Sequence, residues 1–118
     1  MSVLEIAKEL VRLCQSGQNF VAMETLYSDD ITSVEADGSA PYVGKAAVIK
    51  KSADWGAAHE IHSGVAAGPY VNGNQFMVHF TFDITIKAKG LRITMDEIGL
   101  YTVAGEKIVR EEFFYAQA

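Results

Sequence analysis

From Gln75 to Lys87 the chain alternates, with Phe76, Val78, Phe80, Phe82, Ile84 and Ile86 on one side and Gln75, Met77, His79, Thr81, Asp83 and Thr85 on the other. A period of two sustained this long describes a β-strand with one wholly apolar face. A strand of this length does not stay flat, so the sheet that holds it must twist and coil. Its flanks carry turn signals. Asn72-Gly73-Asn74 precedes it as a hairpin signal after a strand over residues 61–71, which Gly68-Pro69 interrupts. Lys89-Gly90 turns into a strand over residues 91–103. Ala104-Gly105-Glu106-Lys107 turns into a final strand over residues 108–115.

The first half reads differently. Val3, Ile6, Ala7, Leu10, Val11, Leu13 and Cys14 recur at spacings of three and four, which predicts a helix with one buried stripe. Ser2 and Glu5 form a capping-box pattern at its start, and Gly17 supplies a left-handed stop. A second helix fits residues 20–27, with Asn19 as its cap. A short strand over residues 31–35 and a loop over residues 36–41 follow. A third helix opens at Gly44 and ends near Gly56, with Ala46, Ala47, Val48, Ala53 and Trp55 as its apolar side. The expected architecture is α+β: three N-terminal helices packed on one face of a strongly curved antiparallel sheet, enclosing an apolar concavity.

Composition narrows the function classes. The 118 residues carry 10 Lys and Arg against 15 Asp and Glu, a formal charge of -5, with 49% hydrophobic residues. That is one domain over residues 1–118, long enough to bury roughly two thirds of its unfolded surface without staples. The acidic balance argues against a nucleic-acid partner, which would need clustered Lys and Arg. No apolar run approaches the ~20 residues of a membrane span, and Glu5, Lys8 and Glu9 interrupt any signal-peptide pattern. A cytoplasmic protein without a membrane partner is expected. The single cysteine, Cys14, excludes an internal disulfide and a CxxC motif. His59 and His62 are three apart, which on a strand sends them to opposite faces, so no metal site is expected. Nor does the chain carry a dinucleotide fingerprint, a phosphate-cradling glycine loop or a serine nucleophile elbow.

Leu26-Tyr27-Ser28-Asp29-Asp30-Ile31, then Glu35, then Gly44-Lys45-Ala46-Ala47-Val48 resembles the "lyadDv... Gr.aI" signature of the SnoaL-like polyketide cyclases and the ketosteroid isomerases, within the nuclear transport factor 2-like superfamily. Gly105-Glu106-Lys107-Ile108, followed by Glu111, Phe113 and Tyr115, is similar to that group's closing turn and last strand. The resemblance covers nearly the whole chain. It implies a cone-shaped fold with an apolar pocket, a small apolar molecule as ligand, and a homodimer through the outer sheet face. It implies no cofactor.

The resemblance also places a general base. In the ketosteroid isomerases an Asp lies eight residues after the Tyr of this signature, and that count from Tyr27 reaches Glu35. The two oxyanion donors of those enzymes have no counterpart, because their positions fall on Val11 and on Ile98 or Gly99. The His and Asp often found on the last strand of the cyclases are replaced by Glu111 and Phe113. If Met95, Gly99, Tyr101 and Val103 face inward on the strand over residues 91–103, period two turns Glu97 inward with them and Asp96 outward. The resemblance turns Val109, Glu111, Phe113 and Tyr115 inward on the last. Glu35, Glu97 and Glu111 are therefore the candidate catalytic groups. Three carboxylates in one apolar pocket repel one another, so at least one is expected to stay protonated at neutral pH. The alternative pairs Glu97 or Glu111 with Lys89, Arg92 or Arg110 on a solvated face. Trp55, His62, Phe80, Phe82, Tyr101, Phe113 and Tyr115 are the candidate ligand-binding residues, with core packing as the alternative for the aromatics. Two functions remain open: a cofactor-independent isomerase or cyclase, and a non-catalytic ligand-binding or protein-interaction module.

Overall fold

The computed structural model describes residues 1–116, in three helices and six strands. Helix α1 (Val3–Gln15) begins with a complete capping box: the Ser2 amide donates to Glu5 Oε1 at 2.9 Å and the Glu5 amide donates to Ser2 Oγ at 3.1 Å. Its stripe of Ile6, Ala7, Leu10 and Leu13 is buried, and the chain leaves it through Gly17 at φ +72°. Helix α2 (Asn19–Leu26) buries Ala22, Met23 and Leu26. Asn19 lies inside this helix and does not cap it; Gln18 holds that position and makes no side-chain cap bond.

Strand β1 (Tyr27–Val34) is longer than the sequence predicts, because Tyr27 turns extended at the end of α2 and joins the sheet. Strand β2 (Tyr42–Val43) is a two-residue edge that the sequence pattern does not reveal. Helix α3 (Lys45–Ala58) follows from Gly44. Ala46 and Ala53, expected on its apolar side, face solvent. The side of α3 turned to the sheet instead carries Val48, Lys51, Ser52 and Trp55.

Strands β3 (His59–Asn72), β4 (Gln75–Ile86), β5 (Leu91–Ala104) and β6 (Lys107–Phe114) form an antiparallel meander. The sheet order is β2-β1-β6-β5-β4-β3. The sheet is mixed rather than purely antiparallel, because β1 pairs with β6 in parallel, with Ser33 opposite Glu111 and Val34 opposite Glu112. A chain that returns to the centre of its sheet by way of α3 and the meander can bring β6 alongside β1 in that direction, and no local pattern announces such a long-range pairing. The last turn, Gly105-Glu106, holds both residues at positive φ, +57° and +62°, the geometry of a type I′ hairpin.

Phe76, Val78, Phe80 and Ile84 of β4 are buried, and the first three join the stripe of α1 and Ala66 of β3 in one core. On β6 the register slips between Thr102 and Val103 of β5, so that Ile108, not Val109, is fully buried. An extra residue in one strand reverses which side chains face inward up to that point. Beyond the bulge, Glu111 and Phe113 point to the concave side. Helices against the concave face of this curved sheet make an α+β cone.

Candidate active site

Between the helices and the concave face lies a cavity of about 730 Å³. Phe80 and Phe82 of β4, Met95, Glu97 and Tyr101 of β5, and Glu111 and Phe113 of β6 line it from the sheet. Trp55 and Lys51 face it from α3, and Leu10 and Cys14 from α1. Glu35 and Tyr115, each just past the end of its strand, close one side.

The polar part of this wall is built around Lys51. Its Nζ donates to Glu35 Oε1 at 2.6 Å and to Ser33 Oγ at 2.6 Å, and lies 3.5 Å from Glu111 Oε2. It also stands 5.1 Å from the Phe113 ring centroid and 5.4 Å from that of Tyr42. Aromatic faces and carboxylates both attract its positive charge. Glu35 is fully engaged, since its other oxygen accepts from the Tyr115 hydroxyl at 3.0 Å. Burial, and then the hydrogen bond to Glu35, push the Tyr115 phenol up.

Glu111 is 1% exposed and is the largest charged group in the core. It accepts from the Tyr27 hydroxyl and, at 2.7 Å, from Ser33 Oγ. Burial first, and the charge of Glu111 second, hold the phenols of Tyr27 and Tyr101 well above their ordinary value. Both are therefore hydrogen-bond donors throughout the physiological range.

Glu97 stands apart. Burial pushes its carboxyl up to about 7; the charges of Glu35 and Glu111 add to the rise and that of Lys51 opposes it. No hydrogen bond contributes to this shift. Neither Glu97 nor Glu111 turns to the solvated side: Arg92 pairs there with Asp83 at 2.8 Å, Arg110 with Glu112 at 2.9 Å, and Asp96 with His79 at 3.0 Å. The cavity thus gathers two carboxylates neutralised in part by one ammonium, and one carboxyl poised near neutrality.

Of the sequence-selected residues, Glu35, Glu97, Glu111, Trp55, Phe80, Phe82, Tyr101, Phe113 and Tyr115 all face this one space. His62 does not. It is exposed, bonds Thr85 Oγ1 at 2.7 Å, and lies where the β3–β4 register shifts between Ile61 and Ser63. His59 faces the cavity instead. Its Nδ1 donates to the Trp55 carbonyl at 2.7 Å and its ring stacks on Trp55 with centroids 4.3 Å apart. Lys51 is the principal group that the sequence reading missed. Its signal was present, since Lys51 lies three residues after Val48 and four before Trp55, the spacing of one helix face. No cluster of metal-ligating side chains occurs among the described residues.

Comparison with known proteins gives a consistent picture of the fold. The family model of the SnoaL-like domain matches residues 1–115. A solved structure from Mesorhizobium loti, provisionally assigned as a SnoaL-like polyketide cyclase, is 48% identical, with a TM-score of 0.94 over 98% of this chain and 100% of that one. A Bacillus subtilis protein provisionally assigned as an isomerase is 21% identical, with a TM-score of 0.79 over 98% of this chain and 90% of that one. A Xanthomonas campestris protein of unknown function with a cystatin-like fold is 18% identical, with a TM-score of 0.79 over 99% and 92%. No curated protein matches the chain.

Proposed function

We propose that this chain, which belongs to the SnoaL-like domain family, binds an apolar small molecule and moves a proton on it, in an isomerisation or aldol-type cyclisation without metal or organic cofactor. Glu97 is the group that carries the proton. The observation behind this reading is a carboxyl near pKa 7 in the wall of an aromatic cavity, since a group that titrates at the working pH serves equally as acid and as base. Ionised Glu97 takes a proton from the carbon next to a carbonyl, and the electron pair moves onto the carbonyl oxygen. The Lys51 ammonium or the Tyr115 hydroxyl donates to that oxygen by giving up its present bond to Glu35. Protonated Glu97 then returns the proton to carbon, or the enolate carbon attacks a second carbonyl, whose oxygen takes the π electron pair and then the Glu97 proton. Glu35 and Glu111 hold Lys51 in place. The outer sheet face, where Met77, Ile98 and Phe114 are exposed, is the surface we assign to a second copy of the chain.

A second reading, ligand binding without turnover, is favoured by one observation: both oxygens of Glu35, the position that the resemblance assigns to the base, are engaged by Lys51 and Tyr115. Deuterium exchange separates the two. In D₂O, the α-protons of 2-tetralone, an apolar ketone, are expected to exchange faster with the protein than with buffer, and Glu97→Gln is expected to remove the acceleration. An exchange rate equal in the two proteins contradicts the catalytic role of Glu97.

A further inference from the structure

The charges and rings that line the cavity also specify what class of molecule it takes. We infer that the ligand carries a positive charge on an apolar body, as a hydrophobic amine or quaternary ammonium does; the inference rests on the reading of this cavity as a binding site. Three carboxyl groups face the space from within, Glu35, Glu97 and Glu111, with exposed Asp37 and Asp54 at its rim, against the single ammonium of Lys51. Asp54 is paired with Lys50, on the outside of α3, at 2.7 Å. The Lys51 charge is taken up by Glu35 and Glu111, which leaves the trio of Lys51, Glu35 and Glu111 one negative charge in excess. A carboxylate or phosphate ligand would enter against this field. A cation enters with it, because a low-dielectric wall strengthens the attraction.

The walls are suited to the same charge. Trp55, Phe80, Phe82 and Phe113 present rings to the cavity, and an aromatic face attracts a cation. Trp55 stands 6.0 Å from Phe82, tilted by 52°, so the two rings form an open corner. The molecule already contains one example of the arrangement. Lys51 places an ammonium between the rings of Phe113 and Tyr42 with carboxylates beside it. Glu97, on the β5 part of the wall, has no ion pair of this kind among the described residues, and a ligand cation supplies the missing partner. A positive charge near a carbon acid also eases loss of its proton, which fits the chemistry proposed above.

The test uses three probes of similar bulk: benzyltrimethylammonium, its neutral isostere neopentylbenzene, and the anion 4-tert-butylbenzoate. Trp55 is the chain's one tryptophan, so its fluorescence reports the cavity directly. At pH 8 the cation is expected to bind about tenfold more tightly than the neutral isostere, the size of effect a desolvated cation–aromatic contact beside a carboxylate supplies. Because the probe cannot lose its charge, its affinity is expected to rise between pH 6 and 8 as Glu97 ionises, and to stay flat in Glu97→Gln. Glu97 is faced by Lys51 from α3, Glu35 from the end of β1 and Glu111 from β6, with His59 on the same cavity. A flat profile in the variant assigns the rise to Glu97 and excludes His59 as its source. Equal affinity for the neutral isostere, or tighter binding of the anion, overturns the inference and leaves the apolar-cavity reading intact. Failure of all three probes to change the fluorescence overturns both.

Discussion

A methyl group on Gly99 would stand 2.8 Å from Cε2 of Tyr101, two residues along the same face of β5. The Tyr101 ring therefore leans back over Gly99, stacked on Phe76 with centroids 4.9 Å apart and edge-on to Phe113 at 6.3 Å. That inclination lays the ring along the cavity wall. Gly99→Ala is expected to push the ring toward the cavity and lower stability by about 1–3 kcal/mol, the usual cost of overpacking. Urea denaturation checks it, and an unchanged midpoint would mean that the ring moves freely.

The buried Glu111 carries a second prediction. Glu111→Ala removes the acceptor of Tyr27 and Ser33 and leaves Lys51 with Glu35 as its one carboxylate partner beside the Ser33 hydroxyl. Breaking a buried ion pair from one side costs about 3–5 kcal/mol, so the loss is expected in that range. Glu112→Ala, on the opposite face in a half-exposed pair with Arg110, is expected to cost less than about 1 kcal/mol. Equal losses in denaturant titrations would contradict the difference in environment.

Glu97 predicts the sign of a pH effect. Its folded pKa lies above that of an unfolded glutamate, so between roughly pH 4.3 and 7 the folded chain binds more protons than the unfolded one. Stability therefore falls as pH rises through that window. Glu97→Gln, which mimics the protonated form, is expected to unfold at a higher temperature than the parent at pH 8 and at nearly the same temperature at pH 4. The reverse order at pH 8 would mean that ionised Glu97 stabilises the fold.

Cys14 is half-buried on the cavity side of α1, and burial with the charge of Glu111 pushes its thiol up to about 11. At pH 8 it is expected to react with Ellman's reagent far more slowly in the folded protein than in urea. Equal rates would place the thiol in open solvent.

Much of this architecture is legible in the sequence wherever the determining contacts are local. The capping box of α1, the alternation along β4 and the hairpin turns state their own geometry. On β5, period two puts Glu97 on the same side as Met95, Tyr101 and Val103, so that placing those apolar residues on the concave side places Glu97 there too. The misreadings have long-range causes. Parallel pairing of β1 with β6 joins segments some eighty residues apart, and the bulge near Val109 shifts the inward phase of β6. Lys51 escapes notice because a lysine on an apolar helix face reads as an interruption until its carboxylate partners, which come from β1 and β6, are known. His62 and His59 exchange places for a similar reason: His59 closes α3, and the shift at Ile61 and Ser63 leaves His62 outside.

The proposed chemistry requires a carboxyl in the cavity that exchanges its proton near neutral pH. Side-chain carbonyl NMR of ¹³C-labelled protein, with Glu97 assigned by comparison with Glu97→Gln, follows that group directly. A titration midpoint near 7 is the predicted result, moving higher in Lys51→Met, where the opposing positive charge is gone. A midpoint near the ~4.3 of a free glutamate would contradict the proton chemistry proposed for this site.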